Sequence, residues 1–451
     1  MAQVFPFRAF RYNPAHAPFE QVLTQPYDKI SPAMQDKYYA ANPHNLITVE
    51  KGRVHPSDAA GNNVYTRAAA AIQEWIRSGI VVQDSQASFY GYTQEYTVPG
   101  TNERAMRRGF IGAGQLEEYS AGVIYRHEHT LSGPKADRLE LLRHTQISAG
   151  QLFLIYSDAQ KRVDAVLKEA EASAVPATEM TDEYGVVHRL WVISEPGRVK
   201  AIQDAMADQK LVIADGHHRY ETALNYRNER RAAAGKNIAG APYERAMMTF
   251  INTQGAGLTI LPTHRVVAKL RQFNWAELRR HLEPWFAAEC IPFSDDGVKA
   301  VAREKFLRKL SAARAQRAIG VYPAAENGQR AFYVLTLREG VDLARLLPSV
   351  SPLQRELDVV LLHDGILEPG LGITPQSVTA ESNITYEREA EAALDALDNG
   401  SAQIAFLLNA CHVEQVVKIA TAGEVMPQKS TDFYPKLMSG ITMYSADPER
   451  S

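Results

Sequence analysis

At 451 residues, with 45% hydrophobic and 22% charged content, the chain has material for two globular domains, and it holds only two cysteines, too far apart for a disulfide framework or a Cys-x-x-Cys zinc site. Its net charge of −3 supplies no electrostatic footprint for nucleic acid or an anionic membrane. No apolar run approaches the roughly 20 residues that cross a bilayer, and no charged leader precedes an apolar core at the N-terminus, so a cytoplasmic protein is expected.

Residues 1–60 are rich in turn formers, with Pro26, Pro32, Pro43 and Pro56, and read as short strands and ordered loops. Val64 to Ser78 places Ile72, Trp75 and Ile76 on one helical face and stops at Gly79, as a helix C-terminus does. Phe89 to Val98 and Arg107 to Tyr119 flank the turn cluster Pro99-Gly100-Thr101-Asn102, which predicts a hairpin. Ser132-Gly133-Pro134 opens a helix, with Pro134 at its first position. A strand at Gln151 to Tyr156, a helix at Val163 to Ala172, a hairpin from Glu179 to Ile193 and a helix from Gly197 to Ala207 follow. Beyond residue 211, strands are expected at Met247 to Ile251 and Leu258 to Leu261, which completes a mixed α/β (α+β) first domain over 1–270.

A second α+β domain, 271–422, is expected to hold helices from Asn274 and Asp296, strands at Arg330 to Leu337 and Gln403 to Leu408, and helices at Leu353 to Ile366, Arg388 to Leu397 and Val413 to Ala422. The basic residues after Asp296, among them Arg303, Lys305, Arg308 and Lys309, read as a solvated helical face. Residues 423–451 form a C-terminal segment. Its Gly423-to-Ser430 stretch has the length of a Walker A loop, but Gln428 stands where that loop needs a second glycine and a helix precedes it, so a P-loop is rejected.

The most chemically suggestive stretch is Leu211-Val212-Ile213-Ala214-Asp215-Gly216-His217-His218-Arg219-Tyr220. An apolar strand meets turn chemistry, and helical composition runs from Tyr220 to Ala234. Exposed N–H groups at a helix N-terminus carry partial positive charge, and His217, His218 and Arg219 add donors there, which suits a phosphate. The plainer reading is that Asp215 caps the helix and Gly216 relieves the backbone. Three successive potential donors exceed what a cap needs, and Arg is suited to bidentate phosphate contacts.

Gly216-His217-His218-Arg219 resembles the Gly-X-X-Arg phosphate motif of the ParB/sulfiredoxin superfamily, and with Asp215 it is most similar to the form in free-serine kinases that use ADP or ATP. His217 stands where the sulfiredoxin branch has its nucleophilic Cys and the CTP-binding DNA-segregation branch has Glu, so neither activity is implied. Along the chain, Pro26-Tyr27-Asp28, Asn42-Pro43-His44-Asn45, His127-Glu128-His129 through Arg138, Leu261-Pro262-Thr263-His264-Arg265, Met426-Pro427-Gln428-Lys429-Ser430-Thr431 and Phe433-Tyr434-Pro435-Lys436 resemble the family known as domain of unknown function 1015. That resemblance implies a ParB/sulfiredoxin-like nucleotide-binding core and a C-terminal segment, with Lys429, Ser430, Thr431 and Lys436, folding back on the first domain. It also implies a substrate close to serine or phosphoserine.

The expected function is therefore phosphoryl transfer from ADP or ATP, with Mg²⁺, to a small hydroxylated metabolite, serine first. Gly216, His217, His218 and Arg219 would hold phosphates. Asp215, His217 and Glu128 are the catalytic candidates, and Asp215 and Glu128 are also the Mg²⁺ ligand candidates. Asp28, Lys135, Arg138, His264, Arg265 and Lys429 are substrate-binding candidates. Two alternatives stand beside this: a metal-dependent phosphoester hydrolase using His127, His129 and Asp215, and a non-catalytic nucleotide-binding regulator. The partners expected are a small-molecule substrate and a nucleotide, with neither nucleic acid nor membrane.

Overall fold

Phe110 and Phe250 stack at the centre of a mixed sheet, ring centroids 4.8 Å apart, and Phe89 meets Phe110 edge-on at 5.4 Å. Each such fully buried ring contributes about 1.5–3 kcal/mol relative to exposure. The computed structural model describes residues 2–128, 132–326, 328–379 and 381–450. Contacts divide the chain into two units, Met1–Thr259 with Pro435–Ser451, and Ile260–Tyr434. These divisions differ from those expected at 270 and 422: the strand His264–Val267 belongs to the second unit, and only the part of the C-terminal segment from Pro435 onward belongs to the first.

The sheet of the first unit is nine-stranded among the described residues. In order across it run Ile124–Tyr125, Leu211–Asp215, Leu152–Tyr156, Arg245–Asn252, Arg104–Gln115, Phe89–Thr97, Val187–Ile193 and Thr178–Thr181, with Val4–Phe5 also paired to Arg104–Gln115. Leu211–Asp215 is parallel to Ile124–Tyr125 and antiparallel to Leu152–Tyr156, which is itself parallel to Arg245–Asn252. Strands of both senses, with helices Arg162–Ser173, Pro196–Met206 and His217–Ala234 between them, make the unit α+β with a mixed sheet. The Phe89–Thr97 and Arg104–Gln115 hairpin forms around its turn as the sequence predicts. Helix Val64–Arg77 does too, capped by Asn63, whose side chain accepts from Tyr65 and Thr66.

The first 60 residues depart from expectation by being helical at Phe19–Val22, Pro32–Ala41 and Ile47–Glu50. Ser31 accepts from the Met34 amide and Pro32 sits at the first helical position, where its missing N–H costs nothing. The proline density that suggested loops is in part a helix-start signal. At the other end of the chain, Met443 bonds Phe10, Tyr444–Ser445 pairs with Ile147–Ser148, and the Lys436 and Met438 carbonyls accept from Gln94 and Gln151.

The second unit is an antiparallel six-stranded sheet in the order Phe286–Phe293, Arg330–Leu337, Ile319–Pro323, Ile404–Leu408, His264–Val267, Ile384–Glu387. Phe306 of helix Asp296–Ala312 and Leu394 of helix Ala390–Asp398 pack into its apolar core. Four strands here were not expected, at His264–Val267, Phe286–Phe293, Ile319–Pro323 and Ile384–Glu387. Of these, Phe286–Phe293 carries Pro292, which an edge strand tolerates because it need not donate on both sides. The continuous helix expected from Leu353 to Ile366 is instead a 3₁₀ turn at Gln354–Glu356, a helix at Asp358–Leu362 and a π turn at His363–Leu367.

Candidate phosphate-binding site

Strand Leu211–Asp215 is buried through Ala214 and pairs with Leu152–Tyr156, but the register slips between Ile213 and Asp215. A bulge of this kind re-aims the next side chain, here Asp215, at the strand end. Gly216 follows at φ +94°, a left-handed conformation that turns the chain straight into helix His217–Ala234. The helix thus begins three residues earlier than composition suggested. Its N-cap is Gly216, which has no side-chain oxygen to give the first-turn amides, so the plainer reading with Asp215 as cap does not describe it.

Arg219 folds back over this N-terminus. A Cβ at Gly216 would lie 3.2 Å from each of Cζ, Nε and Nη2 of Arg219, so glycine lets the guanidinium lie close against the turn. Its Nη1 donates to the Gln151 carbonyl, and Nη2 stands 3.4 Å from Asp215 Oδ2. Lys436 brings Nζ to 3.8 Å from the same carboxylate. Burial alone would raise the Asp215 pKa, yet Lys436, Arg219 and Lys29 outweigh it and hold this carboxyl well below the usual range.

The two histidines differ. His217 is buried, and its Nε2 accepts from the His127 amide at 3.4 Å, so the proton of the neutral ring is on Nδ1. His127 donates Nδ1–H to the Ile213 carbonyl at 2.7 Å, and the rings meet edge-on at 4.7 Å. Burial lowers both pKa values, that of His127 to about 4, so the pair is neutral at pH 7. His218 is half-buried, and desolvation lowers its pKa against the pull of Glu221. Glu221 in turn is held by Lys135 Nζ at 2.8 Å and Arg126 at 3.5 Å.

Glu50, which nothing in the sequence singled out, lies within electrostatic range of the same guanidinium. It ends the short helix Ile47–Glu50 and is 4% exposed. Gly150 keeps this space open: a Cβ there would be 3.2 Å from Glu50 Oε1 and 3.3 Å from Arg219 Nη1. Arg138 Nη1 stands 3.8 Å from Glu50 Oε1 and donates to the Glu50 carbonyl at 2.7 Å, while its guanidinium stacks over Tyr27 at 4.3 Å. Desolvation raises the Glu50 pKa, with Arg138 and Arg219 opposing. These side chains line one cavity with Ser148 and Thr222.

Within the first unit, therefore, Asp215, Gly216, His217, His218, Arg219, Lys135 and Arg138 gather around one helix N-terminus, with Asp28 exposed on the turn Tyr27–Lys29 and within electrostatic range of Glu50 and His218. Glu128 is half-buried beside His127. His129 lies outside the described residues, and among those described no group of three His, Cys, Asp or Glu is arranged to hold a metal. His264, Arg265 and Lys429 belong to the second unit. There Arg265 is fully buried and commits its donors to His363 and to the Thr263 and Lys429 carbonyls, a structural use of the guanidinium. Lys436, expected in the returning C-terminal segment, stands beside Asp215 at this turn.

The family of proteins of unknown function DUF1015 matches residues 4–360. The chain belongs to the DUF1015 family. No curated protein matches this DUF1015 sequence. Solved structures similar to it include a conserved hypothetical protein from Pyrococcus furiosus at 14% identity and TM-score 0.32, covering 72% of this chain and 93% of that one. A free serine kinase in complex with AMP is similar at 13% identity and TM-score 0.33, covering 71% and 89% respectively. SbnI with C-terminal truncation from Staphylococcus aureus is similar at 10% identity and TM-score 0.33, covering 75% and 92%. Likeness at this level carries nothing further about the DUF1015 chain. Among the described residues, no helix is long and apolar enough to cross a membrane.

Proposed function

We infer that the first unit binds a nucleotide by its phosphates at Gly216–Arg219 and transfers a phosphoryl group to a small hydroxylated metabolite, with serine the first to try. The observation that carries this reading is the guanidinium of Arg219 lying against Gly216 at an uncapped helix N-terminus, 3.4 Å from Asp215 and within electrostatic range of Glu50. Amides, helix dipole and guanidinium converge there, as anion binding requires. The resemblance of Asp215-Gly216-His217-His218-Arg219 to the free-serine kinase motif agrees with it.

The two carboxylates have opposite electrostatics, which separates their roles. Asp215, held ionised by Lys436, Arg219 and Lys29, is a poor proton acceptor at neutral pH and suits positioning of cations. Glu50, buried and raised, suits removal of the hydroxyl proton as the acceptor oxygen attacks the terminal phosphorus and the P–O bond to the departing AMP (from ADP) or ADP (from ATP) breaks. Arg219 and Arg138 then face the charge that develops on the transferring group. Mg²⁺ in such a site is held largely by phosphate oxygens with one or two carboxylates, which Asp215 supplies, and would neutralise charge between the phosphates.

The test is phosphorus NMR of the full chain with Mg²⁺, ADP or ATP, and serine, followed by a panel of small alcohols. A phosphomonoester signal that Arg219→Ala abolishes supports the reading. Turnover that survives Arg219→Ala and His217→Ala refutes the site. Nucleotide binding without turnover over the whole panel points to a regulatory binding module instead.

A further inference from the structure

A second cationic cavity lies within the second unit. Arg265, Arg314 and Arg317 line a space of about 180 Å³ together with Asp358, Cys411 and His412. Arg265 is fully buried with no carboxylate partner among the described residues; its Nε meets His363 Nε2 at 3.1 Å and its Nη2 the Lys429 carbonyl at 3.1 Å. Burial pushes its pKa down to about 10, the mark of a cation short of counter-charge. Arg314 gives Nη2 to the Ala410 carbonyl and makes no ion pair among the described residues. Arg317 binds Asp358 through Nε and the Arg355 carbonyl through Nη1, while its buried Nη2 has no hydrogen-bond partner among the described residues.

The anions facing these groups do not balance them. Asp358 is engaged by Arg317, and Glu356 by Lys418 at 3.0 Å from outside the cavity lining. Three guanidiniums therefore stand against one carboxylate not neutralised from elsewhere. Helix Val413–Thr421 starts at the same wall, through His412 and Gln415, and adds the partial positive charge of its N-terminus. Unpaired donors and buried cations without counter-ions are costly, and a bound oxyanion relieves both. The planar guanidinium of Arg314 suits a carboxylate or phosphate, and Arg317, with Nε and Nη1 engaged, has Nη2 left to donate.

We propose that this cavity is a second anion site, taking a small metabolite through a phosphate or carboxylate group. Its volume is below the roughly 300–1,000 Å³ of pockets for drug-sized ligands, which restricts the occupant to a few heavy atoms beyond the oxyanion. No residue is shared with the Gly216–Arg219 cradle, so failure of one site leaves the other standing.

Arginine modification by phenylglyoxal, mapped by mass spectrometry on the full chain, tests the proposal without requiring any variant to fold. Inorganic phosphate and malonate are the two probes. Protection of Arg314 and Arg317 by phosphate assigns a phosphate ester, and protection by malonate alone assigns a carboxylate. Equal modification rates with and without both probes overturn the proposal. Calorimetry adds a second readout in the Arg219→Ala background, where the first-unit cradle is impaired. The protecting anion is expected still to bind, and adding Arg314→Gln is expected to weaken it at least tenfold; unchanged affinity in that double variant overturns the proposal as well.

Discussion

Replacing Gly216 by alanine separates the strain of the turn from its role in holding an anion. At φ +94° an L-residue is strained, which costs about 1–2 kcal/mol of stability. The added methyl would also stand 3.2 Å from three atoms of the Arg219 guanidinium, tighter than an ordinary contact, so the guanidinium must give by a few tenths of an ångström and leave its present hydrogen-bond geometry. Losing a hydrogen bond from a charged group costs about 1.5–3 kcal/mol, or roughly ten- to hundredfold in nucleotide affinity. Gly235 at the far end of the same helix is the control: φ is +66°, and a Cβ there meets nothing within 4 Å. Calorimetric titration of ADP and ATP, with thermal melts of both variants, provides the assay. Both variants are expected to lose similar stability, and only Gly216→Ala to lose nucleotide affinity. Equal affinity in Gly216→Ala and the unaltered chain, or an equal loss in Gly235→Ala, would refute the reasoning.

Three further outcomes follow from the same geometry. His127 titrates near pH 4 when folded against about 6.5 unfolded, so the folded state is at full strength above pH 6.5 and loses stability as the pH falls toward 4. His127 alone accounts for about 2 kcal/mol between pH 6.5 and 5, with His217 adding in the same direction; denaturant melts at pH 7 and 5 should show His127→Gln losing less than the unaltered chain. Glu50→Gln should retain nucleotide binding while turnover falls by about 10²–10⁴, the usual range for a general base; unchanged turnover would remove Glu50 from that role. Arg265→Ala should destabilise the second unit by about 3 kcal/mol or more, because it opens a void and strands buried carbonyls, and a melt within 0.5 kcal/mol of the unaltered chain would contradict its structural use.

What local sequence could show was the strand-to-helix junction at Asp215-Gly216, because an apolar run, a turn pair and a basic helical segment each leave a signature within a few residues. The helix start was read three residues late, since the positive φ of Gly216 lets His217 enter the helix at once. Glu50 was not legible because its burial is created by Arg138 and by the absence of a side chain at Gly150, both distant in sequence. Lys436 reaches Asp215 only because Tyr444–Ser445 and neighbouring backbone bonds anchor the C-terminal segment in the first unit. The division near residue 259 was equally hidden: no strand is expected at His264–Val267, and only its pairing with Ile404–Leu408 and Ile384–Glu387 assigns it to the second sheet. The partners of Arg265, His363 and the Thr263 and Lys429 carbonyls, are assembled by the fold and leave no local signature in the sequence.

The central claim is that the Gly216–Arg219 turn holds nucleotide phosphates, and calorimetry of the full chain with ADP against adenosine addresses it directly. The account predicts that ADP binds, that adenosine binds at least tenfold more weakly, and that Arg219→Ala removes most of this difference. Equal affinities for ADP and adenosine, or an ADP preference untouched by Arg219→Ala, would contradict it.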